Sequence, residues 1–130
     1  MTAPTAVNAR SVLVVDDDET FRTVLARALR ARGYDVRSAA SYDEALAQIR
    51  AEAPRFAILD LQMPGRSGLE LLRAIKRESP ATVVLMLTGD RSTESMASAM
   101  EGGSSRYLSK PIDPDALVAA LVAEGGLRGR

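Results

Sequence analysis

Short apolar runs alternate five times along the chain with stretches whose apolar residues recur every three or four positions. The first run, over about residues 11–16, contains Val12-Leu13-Val14-Val15 and stops at Asp16-Asp17-Asp18. A helical pattern follows over about residues 19–32, with Phe21, Val24, Leu25, Ala28 and Leu29 on one face and Gly33 as its stop. Residues 34–39 alternate as a strand. Ser41, with Glu44 three positions on, then predicts a capping box and a helix with Ala45, Leu46 and Ile49 inward. A third strand over residues 56–60 ends at Asp60, and the loop 62–68 leads to a helix carrying Leu69, Leu72 and Ile75. The fourth strand, residues 82–88, ends at Thr88. Residues 92–101 form a weaker helix whose buried candidates are Met96, Ala97, Ala99 and Met100. A fifth strand over residues 105–109 leads into Lys110-Pro111. Asp113 caps the last helix, which has Pro114 at its first position and Leu117, Leu121 and Val122 inside, up to the Gly125-Gly126 stop.

Strands alternating with helices form right-handed crossover units around a parallel sheet covered on both faces. The first, third and fourth strands are continuously apolar, as central strands are, whereas the second alternates and carries Arg37, which places it at an edge. The predicted fold is therefore α/β, a three-layer, flavodoxin-like doubly wound sheet with strand order 2-1-3-4-5. Its ligand crevice lies at the carboxyl ends of strands one and three. Residues 11–123 make one domain, flanked by an expected disordered tail over 1–10 and a flexible tail over 124–130.

Composition narrows the functional classes. The 130 residues are 46% hydrophobic and 26% charged, with 17 acidic and 17 basic residues, so there is no basic stripe of the kind that binds nucleic acid. The absence of cysteine removes disulfides, thiolate metal sites and a cysteine nucleophile, and the absence of histidine removes Ser-His catalysis and any phosphohistidine on this chain. No apolar run reaches membrane-spanning length and residues 1–10 lack a signal-peptide core, which fits a cytoplasmic protein without membrane contact.

The chemistry gathers where the strands stop. Asp16, Asp17 and Asp60 supply hard oxygen ligands at neighbouring strand ends, a donor set suited to Mg²⁺. Asp18 and Glu19 fit better as a helix start. The Lys110 ammonium can offset phosphoryl charge, a cis bond before Pro111 could aim it inward, and Thr88 can hydrogen-bond a phosphoryl oxygen. Gly89 leaves room beside it for a ligand.

Taken together, Val14-Val15-Asp16-Asp17, Leu59-Asp60 with Met63-Pro64, Thr88-Gly89 and Tyr107-Leu108-Ser109-Lys110-Pro111 resemble the receiver domains of bacterial two-component response regulators, which have the CheY-like fold. The resemblance implies that Asp60 is the phosphoacceptor. Asp17, Asp60 and the main-chain carbonyl of Gln62 would ligate Mg²⁺, with Asp16 acting largely through water, and Thr88 and Lys110 would bind the phosphoryl oxygens. It further implies a phosphohistidine donor, on a sensor histidine kinase or histidine phosphotransfer protein. The switch would couple Thr88 to Tyr107 and to the face of helix four, strand five and helix five, controlling an output partner or domain. A phosphorylation-dependent homodimer is compatible with it. The domain itself would neither bind nucleic acid nor turn over an external substrate.

Two departures stand out: Ile112 replaces the common Phe after Lys-Pro, and Ser104-Ser105-Arg106 replaces the usual small and acidic residues. Both alter the output face and argue against the dimer mode of winged-helix regulators. The run over residues 25–34, with Thr88-Gly89 and Lys110-Pro111-Ile112-Asp113, is more similar to redox-responsive global regulators, whose receivers precede a Fis-type helix-turn-helix for which these residues show no pattern. Two rivals are weaker. Asp16-Asp17-Asp18-Glu19-Thr20 also fits the nucleophile motif of haloacid-dehalogenase-type phosphatases, but that family's lysine and late acidic pair are not in the required order, and Asp60 is left without a role. The other rival is a binding module that keeps the fold and is never phosphorylated.

Overall fold

The computed structural model describes residues 8–125. Five strands and five helices alternate in chain order: β1 (Ser11–Val15), α1 (Glu19–Ala31), β2 (Asp35–Ala39), α2 (Tyr42–Ala51), β3 (Phe56–Leu59), α3 (Gly68–Glu78), β4 (Val83–Thr88), α4 (Thr93–Glu101), β5 (Arg106–Ser109) and α5 (Pro114–Gly125). The strands are all parallel, in the order β2-β1-β3-β4-β5. This is the doubly wound order read from the strand patterns.

Alternation of side chains along each strand divides the interior into two cores. Leu13, Val15, Ala57, Leu59, Val84 and Met86 meet α2 and α3 on one face, together with Ala99 of α4. Val12, Val14, Phe56, Ile58, Leu85 and Leu87 meet α1 and α5 on the other. Every residue of β1 and β3 is buried, whereas β2 is mixed and no residue of β5 is fully buried, which is why continuous apolar runs mark the centre of the sheet and interrupted ones its edges. Arg37, the residue that placed β2 at an edge, donates to the carbonyls of Gln48 and Glu52 and so caps the last turn of α2.

Four expectations need correction. Only Ala99 of α4 is buried; Met96 and Met100 are 43% and 46% exposed and Ala97 is also exposed. Val24 of α1 is 58% exposed, its place in the core taken by Ala26. The α2 box is incomplete: Ser41 accepts from the Glu44 amide, but Glu44 reaches back to the Ala40 amide instead of that of Ser41. The reciprocal box closes α3 instead, between Ser67 and Glu70. Finally, α5 runs through Gly125, so Glu124 and Gly125 belong to the helix and not to a tail. The ring of Phe56 lies where a Cβ on Gly125 would be, at 2.3 Å. Of the expected N-terminal tail, Asn8 to Arg10 form a turn in which Asn8 accepts from the Arg10 and Ser11 amides; residues 1–7 and 126–130 lie outside the described residues.

Candidate functional site

Parallel register brings the strand ends into line. Val15, Leu59, Met86 and Tyr107 are aligned across β1, β3, β4 and β5. The ladder continues one step beyond the strands: the Asp16 amide donates to Ala39 O at 3.1 Å, the Asp60 amide to Val15 O at 3.0 Å and the Lys110 amide to Thr88 O at 2.9 Å. The backbones of all three charged residues are thus fixed by the sheet itself, leaving their side chains at its carboxyl edge.

One carboxylate oxygen from each of Asp16, Asp17 and Asp60 lies within 4.8 Å of the others. Asp16 and Asp60 are buried, with 2% and 8% exposure, while Asp17 is open to solvent. Lys110 reaches in from the end of β5 and its Nζ donates to Asp16 Oδ2 at 2.7 Å and to Asp60 Oδ2 at 3.0 Å. The remaining oxygens of that pair accept from main-chain amides, Asp16 Oδ1 from Asp18 at 2.9 Å and Asp60 Oδ1 from Gln62 at 3.1 Å. Among the described residues, no hydrogen bond reaches the Asp17 carboxylate. The Lys110–Pro111 peptide bond is cis.

Charge in this pocket is not balanced. Three carboxylates against one ammonium leave a net of −2 when all are ionised. Burial pushes the Asp16 carboxyl above the usual aspartate value, and the nearby Asp60 adds to this, against the opposing pull of Lys110 and the Asp18 amide. For Lys110, burial acts downward, but its hydrogen bonds to Asp16 and Asp60 outweigh it and hold the ammonium above the ordinary lysine value. An acidic, all-oxygen cluster with one exposed, unengaged carboxylate fits a divalent cation. The residues present can therefore hold a metal ion.

Not every expected residue meets in this pocket. Thr88 is fully buried at the end of β4, and its Oγ1 accepts from the Asp90 amide at 3.3 Å; among the described residues it makes no bond to Asp60. The space beside it is open, since a Cβ on Gly89 would meet nothing within 4 Å. Tyr107 packs on the α2–α3 side of the sheet, and its hydroxyl donates to the carbonyl of Asp90 at 2.7 Å. Burial pushes the Tyr107 phenol upward, with the Asp90 charge adding to it.

Four contributors escape a reading from sequence. The Phe21 ring, predicted as a core residue, lies 4.1 Å from Lys110 Nζ and forms the apolar wall of the lysine. Arg22 donates to the Asp16 carbonyl at 2.8 Å. Asp90 is a hub: its carboxylate accepts from the Ser92 amide and the Ser95 hydroxyl, and these bonds hold its pKa below the usual aspartate value. Gly68 abuts the phosphoacceptor candidate, for a Cβ there would lie 2.1 Å from the Asp60 carbonyl oxygen. An Asp two residues before the helix cap Ser92 was the available signal for Asp90. For Phe21, Arg22 and Gly68 the local sequence offers none.

Residues 12–122 match the family model described as the response regulator receiver domain. The chain is 38% identical to the acid tolerance regulatory protein ActR of Rhizobium meliloti over 92% of its own length and 61% of the relative's. It is 36% identical to the photosynthetic apparatus regulatory protein RegA of Rhodobacter capsulatus, over 89% of this chain and 63% of that one. The chain thus spans about three fifths of the length of these curated relatives. Among solved structures it superposes with a TM-score of 0.84 and 38% identity on a Burkholderia pseudomallei response regulator with a phosphorylated aspartic acid, calcium ion and citrate, covering 90% of this chain and 69% of that one.

Proposed function

The chain belongs to the response regulator receiver domains, and from that premise we propose that Asp60 is its phosphoacceptor, loaded from a phosphohistidine on a partner kinase or phosphotransfer protein. The observation that carries this reading is the position of Asp60: buried, fixed by the β1 backbone, and bonded to Lys110 at the edge of the sheet. An Asp60 carboxylate oxygen attacks phosphorus as the P–N bond to imidazole breaks, and the departing imidazole takes a proton. The product is an acyl phosphate on Asp60.

The residues around it divide the work. Lys110 is already within hydrogen-bond reach of the attacking carboxylate and stabilises oxygens that gain charge in the transition state. Thr88 sits at the adjacent strand end with open space beside Gly89, and its hydroxyl engages a phosphoryl oxygen after transfer. Asp17 is the best-placed direct metal ligand, since its carboxylate is exposed and unengaged, with Asp60 and the Gln62 carbonyl completing the protein donors. Asp16, buried and tied to Lys110, acts from behind through water. Mg²⁺ held there would neutralise charge on the transferring group. Movement of Thr88 would release Tyr107 from Asp90 and remodel the face of α4, β5 and α5, where Met96 and Met100 already stand exposed. That face would signal to an output partner, or to a domain beyond this chain. The likeness to RegA supports placement near the redox-responsive regulators.

Phosphorylation with acetyl phosphate and Mg²⁺ tests the assignment. Asp60→Ala is expected to abolish acid-labile labelling, and the phosphatase alternative, in which Asp16 attacks, predicts that labelling persists. Persistent labelling of Asp60→Ala sinks the receiver mechanism.

A further inference from the structure

A second charged site runs from the loop after β3 along the outer face of α3, beside the start of α2. Tyr42 at the start of α2 and Arg66, Glu70, Arg73 and Arg77 on and before α3 line an open cleft of about 200 Å³. Glu70, Arg73 and Arg77 recur every three or four positions along α3 and so form one stripe of its surface, with Arg66 in the loop just before the helix cap. The Arg66 guanidinium is stacked over the Tyr42 ring, 4.4 Å from its centroid.

The charges of this cleft do not cancel. Three guanidiniums face one carboxylate, a net of +2. Glu70 is committed to the capping box, where it accepts from the Ser67 amide. Arg32 and Arg106 pair with carboxylates elsewhere, and the neighbouring Glu78, beside Arg77, is committed to Arg50, each pair at 2.7 Å. Among the described residues, Arg66, Arg73 and Arg77 make no ion pair and donate no side-chain hydrogen bond. Arg73 and Arg77 are one helical turn apart, which puts their Cβ atoms about 5–6 Å from each other. Guanidinium forks at that spacing can bracket a single tetrahedral dianion from two sides. A planar carboxylate, carrying one charge, would leave one fork unused.

We infer that this cleft binds a small soluble phosphate compound, with Arg73 and Arg77 holding the phosphate and the Arg66–Tyr42 stack closing one wall. This site is distinct from the acidic pocket: none of the residues lining it is one of the three carboxylates or Lys110, and its positive charge is opposite in sign to that pocket, which would repel the same ligand.

Pyrophosphate is the probe, added to the metal-free protein while backbone amide and arginine Nε NMR signals are followed. The expected result is a saturable shift of Tyr42, Arg66, Arg73 and Arg77, absent with sodium chloride at matched ionic strength. The double variant Arg73→Gln/Arg77→Gln should lose affinity roughly tenfold or more, as removal of two charge-assisted contacts implies. Its circular dichroism and its acetyl phosphate labelling should stay as in the parent, because both side chains are exposed and, among the described residues, neither bonds to a residue of the acidic pocket. Shifts reproduced by chloride, shifts confined to Asp17 and Asp60, or unchanged affinity in the double variant would each overturn the proposal.

Discussion

At the scale of single residues, close approach and exposure decide what can be changed. Gly68 lets α3 start against the Asp60 carbonyl, and a methyl group there has only backbone to push against. Gly68→Ala should cost about 1–3 kcal/mol in urea unfolding and displace Asp60. Gly125→Ala meets the buried Phe56 ring instead and should cost a similar amount, about 1–3 kcal/mol, with little effect on labelling. Gly89→Ala is the contrast, since open space surrounds that position in the protein. Asp17 offers a cleaner dissection of function. Because it is exposed, Asp17→Asn should stay within about 0.5 kcal/mol of the parent in stability. Its Mg²⁺ affinity should nevertheless fall roughly tenfold or more. With no tryptophan to report binding, amide NMR shifts in a Mg²⁺ titration give the measurement.

At the scale of elements, α4 is the weak point of the fold. It contributes one buried residue, Ala99, where α3 contributes five. Its first turn depends on Asp90 and Ser92 instead: Ser92 caps the helix by accepting from the Ser95 amide, and Asp90 holds both Ser92 and Ser95. Hydrogen exchange should therefore be faster in α4 than in α3, and Asp90→Ala should raise it further without altering α3. The pH dependence follows in sign. The Asp90 carboxyl is held below its ordinary value of 3.8, so its contribution to α4 is complete above that pH. The contribution is lost as the pH falls through the lower folded-state value. Amide protection in α4 should drop there first in the parent, and Asp90→Ala should remove that acid-dependent step. An unchanged profile in the variant would separate Asp90 from the cohesion of α4.

At the scale of the whole molecule, two cores grip a sheet whose carboxyl edge concentrates negative charge. A cation that binds this edge only in the folded state must raise stability by mass action. At free Mg²⁺ about tenfold above its dissociation constant the gain is about 1.4 kcal/mol. For a domain of this size that amounts to a few degrees in Tm, about 2–8 °C. Chelation should reverse it, and thermal melts with and without chelator provide the check; a Tm indifferent to Mg²⁺ would count against the metal reading. The architecture was legible from the chain at this scale because burial on two faces and burial on one leave different local patterns, as β1 and β2 illustrate. The α4 methionines defy the pattern for the complementary reason. Helical spacing marks a face as apolar without saying whether anything covers it, and only Ala99 is covered.

What the sequence alone determined is local and repetitive: the alternation of strands and helices, the strand order, and the acids, Thr88 and Lys110 placed where strands stop. Periodicity, caps and breakers act over a few residues, so a one-dimensional reading reaches them. The family's motifs added the roles proposed for them. Only the tertiary structure decided which charges are partnered, since Lys110 binds carboxylates 94 and 50 residues away. The same holds for Phe21 as the wall of that lysine, for Gly68 against Asp60, and for the unpaired arginines beside Tyr42. Distances between segments remote along the chain are set by packing of the layers, and no local pattern encodes them.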